Sequence, residues 1–257
     1  MQNKKLKIIF FCKDDIYSKI IFNSIKKTCN IQCVIIENNR PLIHSTISKF
    51  RNNSLISALG QLIFIIYYKI LIKFSGKHLN ELIIKYKFDI SNIIHKNIYK
   101  LKNINSEETL NIINEHNPDL IFVNGTSIIS ERILNTKKNF IGLHMGITPK
   151  YRGVHGGYWA YINNDYKNCG VTIFKLNKGI DTGNIIFQDT IDVNSNDNIF
   201  SITIHQLNKA IPLIIKSLSL FNDDLINNTQ KTLLVSKQWT HPTIVQYLIN
   251  FLKTKKK

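Results

Sequence analysis

The sequence predicts an α/β protein whose central sheet is mainly parallel. Two short runs rich in β-branched residues, Leu6 to Phe11 and Ile31 to Ile36, are separated by a segment of helical length, Asp15 to Lys27. A strand, a helix and a second strand in this order are typical of the first unit of a parallel sheet. The apolar fraction is 44% over 257 residues, which is sufficient for a substantial buried core.

The net charge does not by itself identify a partner. The 34 Lys and Arg residues exceed the 17 Asp and Glu residues and give a formal charge of +17. Nearly all of these cations are Lys, whereas proteins that read phosphates or base edges favour Arg, of which the chain has four. We therefore expect no nucleic-acid partner.

The cysteines indicate reduced thiols. Cys12, Cys29, Cys33 and Cys169 form no CxxC pair, and no His lies beside Cys29 and Cys33 at the spacing of a zinc site. A disulfide framework is unusual at this chain length. The sequence thus predicts a cytoplasmic protein without a metal site.

The segment from about residue 43 to residue 105 departs from the strand–helix pattern and is predicted to be a helical insertion. Within it, Leu55 to Phe74 has the length of a membrane-spanning helix, since about 20 apolar residues cross a bilayer. Gln61, Lys69 and Lys73 interrupt this stretch. We therefore expect a buried or interfacial helix and no transmembrane span.

The alternation of strands and helices resumes at Ser106. Apolar runs, helical spacing and Gly-rich breaks predict, in order, a helix over Glu107–Glu115, a strand over Asp119–Val123, a short helix over Ile128–Leu134, strands over Phe140–His144, Val171–Lys175 and Asn184–Val193, and helices over Ile202–Leu220 and Ile244–Leu252. We expect residues 1–195 to form the α/β domain and residues 196–257 to form a helical C-terminal extension.

Residues suited to proton transfer cluster between His144 and Asp181. His144 stands at the carboxyl end of an apolar strand, the edge where open α/β sheets bind ligands. Asp181 lies between Gly179 and Gly183 in a loop that joins two strands. A carboxylate that holds an imidazole is a common arrangement for acid–base catalysis. Each residue alone also fits a structural role, His144 at a strand end and Asp181 in a turn.

The segments LHMGITPKYRGVHGGYWA and CGVTIFKLNKGIDTGNIIFQ resemble the folate-dependent formyltransferase family. The resemblance covers about Asp119 to Val193 and implies a Rossmann-like formyltransferase fold. Members of this family transfer a formyl group from 10-formyltetrahydrofolate to an amine, and they include glycinamide ribonucleotide, methionyl-tRNA and nucleotide-sugar N-formyltransferases. The implied activity is that of a formyltransferase with 10-formyltetrahydrofolate as donor substrate.

The resemblance also implies the catalytic residues. His144 matches the His of the family's Asn-x-His motif, and Asp181 matches its Asp on the later loop. By this analogy His144 donates a hydrogen bond to the oxyanion, and Asp181 pairs with His144 and relays protons. The Asn of the motif is replaced here by Gly142, which has no side-chain donor. Removing one oxyanion donor costs a factor of about 10²–10³ in rate where this has been measured.

Three consequences of Gly142 are open from the sequence. In the first, the N–H of Gly142 or a donor such as Thr126, Thr148 or Tyr151 completes the oxyanion hole. In the second, the enzyme is slow. In the third, the chain is a catalytically impaired relative that binds folate or a nucleotide sugar. The presence of Asp181 and its flanking glycines favours activity.

Further site residues follow from the resemblance. In the family, backbone groups after the Asp119–Val123 strand and on the loop of Asp181 hold the pterin ring. Carried over position by position, these are Ser127, Ile128, Ile129, Lys178, Gly179, Ile180 and Thr182. The loop after His144 contributes the predicted acceptor-binding residues, which are Thr148, Tyr151 and Arg152, with Arg152 as a clamp for an anionic substrate.

The sequence disfavours two of the family's acceptors. The glycinamide enzyme binds phosphate with a Gly-rich loop after its first strand, whereas Phe11 to Asp15 lacks glycine and carries two acids. The methionyl-tRNA enzyme adds a C-terminal barrel, whereas the pattern after Val193 is largely helical. The acceptor that remains is a small amine, in particular a nucleotide-linked amino sugar for surface-polysaccharide synthesis. The oligomeric state stays open, and a homodimer is allowed.

Overall fold

The computed structural model describes residues 6–38, 55–74, 76–136, 138–221 and 234–255. Its strands are β1 (Lys7–Lys13), β2 (Asn30–Glu37), β3 (Ile98–Leu101), β4 (Leu120–Val123), β5 (Asn139–His144), β6 (Arg152–Gly153), β7 (Gly170–Lys175), β8 (Ile185–Thr190) and β9 (Gln238–Trp239). Its helices are α1 (Ile16–Ile25), α2 (Leu55–Phe74), α3 (Gly76–Lys85), α4 (Glu107–His116), α5 (Glu131–Leu134), α6 (Gly156–Ile162), α7 (Ile199–Ser219) and α8 (Ile244–Lys255). The start of the predicted insertion (43–54) and parts of the predicted extension (222–233 and 256–257) lie outside the described residues.

Seven of the described strands form one sheet in the order β3-β2-β1-β4-β5-β7-β8. The strands from β3 to β5 are parallel, and β7 and β8 continue from β5 in antiparallel orientation. The mainly parallel sheet predicted from the sequence is thereby confirmed. Strand β3 lies within the predicted helical insertion. Because β3 is a four-residue edge strand with mostly half-buried side chains, it leaves no clear apolar run in the sequence.

The sheet is buried on both faces because helices cover each of them, and the side chains of each strand alternate between the two cores. On β1, Ile8 and Phe10 face one core, and Ile9 and Phe11 face the other. Helices α1, α6 and α7 contribute to the first core, and α4 and α5 contribute to the second. The rings of Phe10 and Phe122 stack with their centroids 5.5 Å apart. This packing fixes the carboxyl ends of β1 and β4 relative to one another.

The described part of the predicted C-terminal extension packs directly on the α/β domain. A capping box begins α7, in which the Asn198 side chain accepts from the N–H of Ser201 and the Ser201 hydroxyl accepts from the N–H of Asn198. The helix then buries Ile204 and Leu207 in the first core. Strand β9 pairs in parallel with β6. These residues therefore share a core and a small second sheet with residues 1–195.

Helix α2 has one packed face and one open face. Ala58 and Phe64 are fully buried, whereas Ile56 is 86% exposed. By length and composition alone the window Leu55–Ile72 could cross a membrane, and 17% of this window is buried within the protein. The helix is held in place through its packed face, where the Gln61 side chain donates to the hydroxyl of Thr240 at 3.1 Å.

Candidate active site

A cleft opens at the carboxyl ends of β4 and β5, where the parallel part of the sheet meets antiparallel β7. It encloses a cavity of about 620 Å³, a size typical of small-molecule sites. The loop after β4 (residues 124–130) forms one wall, the loop between β7 and β8 (residues 176–184) forms a second, and the segment Gln238–His241 forms a third. Both His144 and Asp181 line this cavity.

His144 is held in one orientation at the end of β5, and its side chain is 6% exposed. Its Nε2 lies 2.6 Å from the backbone carbonyl oxygen of Tyr151, and its Nδ1 lies 3.3 Å from Oδ2 of Asp181. Because a carbonyl oxygen only accepts hydrogen bonds, Nε2 carries the hydrogen of that bond. Both ring nitrogens thus face acceptor oxygens of the protein. The structure brings together the imidazole and the carboxylate that the sequence predicts as a pair.

Asp181 occupies a tight loop between β7 and β8. Its φ of 51° is left-handed, and a Cβ at Gly183 would lie 1.6 Å from the carbonyl oxygen of Lys175, so the loop requires glycine at that position. Besides facing His144, Oδ2 accepts a hydrogen bond from the N–H of Gly153 at 2.8 Å. Among the described residues Oδ1 has no hydrogen-bond partner. Oδ1 is therefore the carboxylate oxygen available to accept a proton from a bound molecule.

Gly142 lies within β5 and is paired on both sides, with Val123 and with Phe174. A Cβ built at Gly142 would lie 2.6 Å from Cδ1 of Leu176 and 3.1 Å from the Phe174 ring. The space that an Asn side chain would need is thus filled by apolar groups. Thr126 is one of the alternative oxyanion donors, and it lines the cavity. Its hydroxyl donates to the backbone carbonyl oxygen of Ser127 at 3.0 Å, so in this structure its hydrogen points to the protein.

The structure does not bring Thr148 and Tyr151 into the cavity, although the sequence predicts that they bind the acceptor. Both side chains are buried. The N–H of Thr148 donates to the hydroxyl of Thr172 at 3.1 Å, and the Tyr151 hydroxyl donates to Oδ2 of Asp165 at 2.8 Å. Burial raises the pKa of Tyr151 to about 12, so this hydroxyl stays protonated. These two side chains form part of the support beneath the loop after His144.

Arg152 connects the walls of the cleft. Its Nη1 donates to the carbonyl oxygen of Ile180 at 2.7 Å, and its Nε donates to the hydroxyl of Ser236 at 3.0 Å. Strand β6 is thereby tied to the loop of Asp181 and to the C-terminal segment. Because these bonds go to protein groups, the role of Arg152 as a clamp for an anionic substrate stays a prediction.

Glu37 is a candidate that the sequence analysis does not identify. It ends β2, and its side chain is buried. Its Oε2 accepts a hydrogen bond from the N–H of Ser127 at 2.6 Å, and its Oε1 accepts from the N–H of Ile104 at 3.2 Å. The only signal in the sequence is an acid directly after the apolar run Ile31–Ile36. Glu37 therefore holds the loop after β4, which is the first wall of the cavity.

Asn105 holds the next residues of the same loop. Its Nδ2 donates to the carbonyl oxygen of Ile128 at 2.9 Å, and its Oδ1 accepts from the N–H of Ser130 at 2.7 Å. Several backbone groups of the loop are thus already bonded within the protein. Among the described residues, the N–H groups of Ile128 and Ile129 have no partner, and both residues line the cavity. These two N–H groups are the ones that this wall offers to a ligand.

The predicted folate residues of the second wall divide into two sets. Gly179–Ile180 lines the cavity together with the loop after β4. Lys178 and Thr182 do not line it. The Nζ of Lys178 lies 2.7 Å from Oε1 of Glu131, and the Thr182 hydroxyl donates to Oδ1 of Asn177 at 2.7 Å. Their contact with a folate stays a prediction.

The segment Gln238–His241 forms a wall that sequence reasoning misses. Trp239 pairs with Gly153, whose φ is 94° and at which a Cβ would lie 2.2 Å from the Trp239 carbonyl oxygen. The Trp239 ring stacks on Trp159 at 4.8 Å and on Tyr151 at 5.6 Å. A cluster of aromatic and polar residues in a tail rich in Ile and Lys is the only sequence signal for this wall.

A histidine pair supports the third wall. Nε2 of His155 lies 3.1 Å from Nδ1 of His241, and the His155 ring also packs against the rings of Phe64 and Tyr68. Burial, together with the neighbouring His241, lowers the pKa of His155 to about 3. His155 is therefore neutral at physiological pH, and it contacts His241 where the latter lines the cavity.

No group of three or more His, Cys, Asp or Glu side chains within the described residues could hold a metal ion. Burial raises the pKa of Cys33 and of Cys169 to about 12 and also raises the pKa of Cys12. These thiols therefore stay protonated and are poor nucleophiles.

The chain is similar in sequence to known formyltransferases. A family model described as formyl transferase matches residues 45–215. The chain is 33% identical over 129 residues to the bifunctional polymyxin resistance protein ArnA of Wigglesworthia glossinidia brevipalpis, over 47% of this chain and 20% of that protein. It is 32% identical over 109 residues to the GDP-perosamine N-formyltransferase of Brucella melitensis, over 42% of each chain. The chain thus spans less than half the length of these curated relatives.

Solved structures share the fold at low sequence identity. A phosphoribosylglycinamide formyltransferase from Anaplasma phagocytophilum matches with a TM-score of 0.56 at 16% identity, over 90% of this chain and 98% of that chain. A sugar N-formyltransferase from a Shewanella species matches with a TM-score of 0.56 at 14% identity, over 97% and 87%. Because the family match extends over more than half of the chain, and the parallel sheet and cleft agree with it, this protein belongs to the formyltransferase family and has its Rossmann-like fold.

Proposed function

We propose that this protein transfers a formyl group from 10-formyltetrahydrofolate to the amine of a small molecule, and that the acceptor is a nucleotide-linked amino sugar. The observation that carries this proposal is the contact of His144 with Asp181 at a cavity that two predicted folate-binding loops line. Membership of the formyltransferase family supports the reaction type.

The cavity suits the donor. A volume of about 620 Å³, apolar side chains from Ile128, Ile129 and Ile180, and free backbone N–H groups on one wall match the needs of a flat heteroaromatic ring. The bound folate supplies the formyl carbon. A bond forms between the amine nitrogen and this carbon, the bond from the carbon to N10 of the folate breaks, and the proton lost by the amine balances the proton gained by N10.

In this proposal Asp181 accepts the amine proton and His144 donates a hydrogen bond to the formyl oxygen. Oδ2 of Asp181 is held by His144 and by the N–H of Gly153, so Oδ1 is left to accept the amine proton directly or through water. The Nε2–H of His144 donates to the Tyr151 carbonyl in the structure. To donate to the formyl oxygen instead, the imidazole ring must leave the Tyr151 carbonyl. The charge-assisted hydrogen bond from His144 to the developing oxyanion then replaces the bond that is lost.

The junction of β1 and α1 supports an amino sugar over a ribonucleotide acceptor. In the glycinamide enzymes the corresponding junction binds phosphate. Here the Asp15 carboxylate itself caps α1 by accepting from the N–H of Ser18 at 2.8 Å, and Asp14 adds a second acid. A phosphate would meet these negative charges at the position where a helix N-terminus normally attracts it.

Two of the relatives support the same acceptor class, since they are named GDP-perosamine N-formyltransferase and sugar N-formyltransferase. Other relatives are named methionyl-tRNA formyltransferase and phosphoribosylglycinamide formyltransferase, so the choice of an amino sugar rests mainly on the acidic β1–α1 junction. We place the reaction in the cytoplasm, where it would supply N-formylated sugars for surface polysaccharides.

Product analysis tests this proposal. The protein is incubated with 10-formyltetrahydrofolate and a panel of nucleoside diphosphate-linked amino sugars that differ in base and in amine position, and mass spectrometry detects the added formyl group. We expect transfer to at least one sugar, and a loss of kcat of about 10² or more in His144→Ala. His78→Ala, on α3 and outside the cavity, is the matched control and should retain activity. Absence of transfer together with absence of folate binding contradicts the proposal.

Gly142 specifically favours one alternative, which is a protein that binds folate or a nucleotide sugar without catalysis. The position of the family's Asn has no side-chain donor, and Leu176 occupies the adjacent space. Titration with a tetrahydrofolate analogue separates the two functions. Saturable binding by a wild-type protein that shows no turnover with any acceptor supports the alternative, whereas turnover that His144→Ala abolishes without loss of binding excludes it.

A further inference from the structure

Helix α2 carries an exposed apolar stripe that the proposed reaction does not use. Ile56, Leu59, Ile63 and Ile66 are between 44% and 86% exposed. Successive members are three or four residues apart, so they lie on one face of the helix. The opposite face packs into the protein through Phe64. The stripe is therefore an apolar surface on a helix that the protein already holds in place.

Helix α8 packs against α2 and carries exposed apolar side chains of its own. The ring of Tyr247 packs 5.3 Å from Phe64 and 5.9 Å from Tyr67, which fixes α8 against α2. Leu248 and Leu252, on the same helix, are exposed. We refer to the exposed apolar residues of these two helices as the α2–α8 face. Exposed apolar side chains concentrated on two helices that pack together mark a contact with a protein or a membrane rather than with water.

The charges on these helices favour an anionic partner. The segments Leu55–Phe74 and Ile244–Lys255 contain four lysines and no acidic residue. Residues 253–257 have the basic sequence KTKKK, and the whole chain has a formal charge of +17. A second copy of the chain would bring these like charges together without an acid on either helix to pair with them. An anionic lipid surface instead complements both the apolar side chains and the lysines.

We propose that the α2–α8 face binds the surface of a membrane that contains anionic lipids. The apolar side chains enter the boundary between headgroups and acyl chains, while the exposed Lys69 and Lys253 stay at the headgroups. The helices lie along the surface and do not span it. The packed face of α2 holds Phe64 in the core and donates a hydrogen bond from Gln61 to Thr240, and a span would break both contacts.

Vesicle flotation of the full chain tests this proposal. The probes are vesicles of phosphatidylcholine alone and vesicles of phosphatidylcholine mixed with phosphatidylglycerol. We expect binding to the mixed vesicles, weak binding to the neutral ones, and loss of binding as the salt concentration rises. Equal binding to both kinds of vesicle, or binding to neither, overturns the proposal.

Paired substitutions locate the contact. Ile63→Glu with Ile66→Glu, and separately Leu252→Glu, should weaken binding to the mixed vesicles by about tenfold or more, because a carboxylate is repelled by anionic headgroups and is costly to insert. Ile94→Glu is the matched control, since Ile94 is 81% exposed and lies on neither helix. Circular dichroism melting confirms folding, and the single Leu252→Glu variant carries the test if the double variant is unfolded. Unchanged binding by a folded variant overturns the proposal.

Two further measurements exclude the other occupants. Sedimentation velocity of the same variants reports on a subunit interface. Conversion of a dimer to a monomer with unchanged vesicle binding would assign the face to a second copy and overturn the proposal. An alkaline carbonate wash of bound vesicles should release the protein, and retention of the protein would indicate a span and also overturn it.

Discussion

Oδ2 of Asp181 lies 3.3 Å from Nδ1 of His144 and accepts a hydrogen bond from the N–H of Gly153 at 2.8 Å. The carboxylate is thereby held by the ends of two different strands, while its other oxygen is free to act on a ligand. The imidazole is fixed in turn by the carbonyl of Tyr151. Because proton transfer depends on position as much as on acidity, substitution of Asp181 tests the proposed chemistry directly.

Asp181→Asn is expected to lower kcat by a factor of about 10²–10⁴, because an amide cannot accept the amine proton. The affinity for a tetrahydrofolate analogue should stay within about threefold, since the carboxylate contributes to proton transfer rather than to the pterin contacts. Steady-state kinetics and fluorescence titration measure the two effects. Asp189→Asn is the matched control, because Asp189 pairs with Lys209 outside the cavity. An unchanged kcat in Asp181→Asn would remove the carboxylate from the mechanism.

Gly142→Asn is expected to lower both the melting temperature and the rate. The new side chain meets Leu176 and Phe174, and overpacking of this kind typically costs about 1–3 kcal/mol. The double variant Gly142→Asn with Leu176→Ala should recover part of the loss, since it removes the nearest clash. Thermal unfolding and single-turnover assays measure these effects. A rate increase in the single variant would show instead that Leu176 yields and that the amide completes the oxyanion hole.

Glu37→Gln is expected to raise the KM for the folate donor by about tenfold and to leave the acceptor KM unchanged. The glutamine amide replaces one acceptor oxygen by a donor, which then opposes the N–H of Ser127 or of Ile104. Loss of a hydrogen bond to a charged group costs about 1.5–3 kcal/mol. The exposed Glu115→Gln is the control. An equal rise in both KM values would indicate general destabilisation rather than a specific effect on the folate loop.

The stability of the protein should fall as the pH is lowered towards 3. His155 has a folded-state pKa of about 3 because of burial and the neighbouring His241, whereas its ordinary value is about 6.5. Between these pH values the unfolded chain binds the proton and the folded chain does not. The free energy of unfolding therefore falls by up to about 1.4 kcal/mol for each unit by which the pH is lowered. The stabilising effect is fully present above pH 6.5.

His155→Asn removes this titration and tolerates the left-handed φ of 57° at that residue. We expect urea unfolding at about pH 5 and pH 7 to differ less in the variant than in the wild type. The comparison uses the difference between the two pH values, because the lost ring contacts lower the stability of the variant at both. The same pH difference in the two proteins would exclude His155 as its source.

Most of the longer strands and helices and the location of the central pair could be predicted from the sequence because they depend on local pattern, whereas β3, β6 and β9 could not. The runs that became β1, β2, β4 and β5 are short and apolar, and the helices between them have the apolar spacing of one buried face. A His that ends one strand and an Asp between glycines in a later loop lie at the same edge of a sheet once its topology is known. Their contact therefore follows from the family pattern and the strand order.

Contacts that join distant segments were decided only by the tertiary structure. Glu37 and Ser127 are 90 positions apart, and Gly153 meets Trp239 through a two-residue strand that leaves no periodicity to detect. The space around Gly142 is likewise filled by Leu176, which reaches it because β5 and β7 are antiparallel neighbours. Local sequence determines which segments become strands and helices. The walls of the cavity depend on which side chains meet after those segments pack, and this is fixed by hydrogen bonds and volumes that no short stretch of the chain contains.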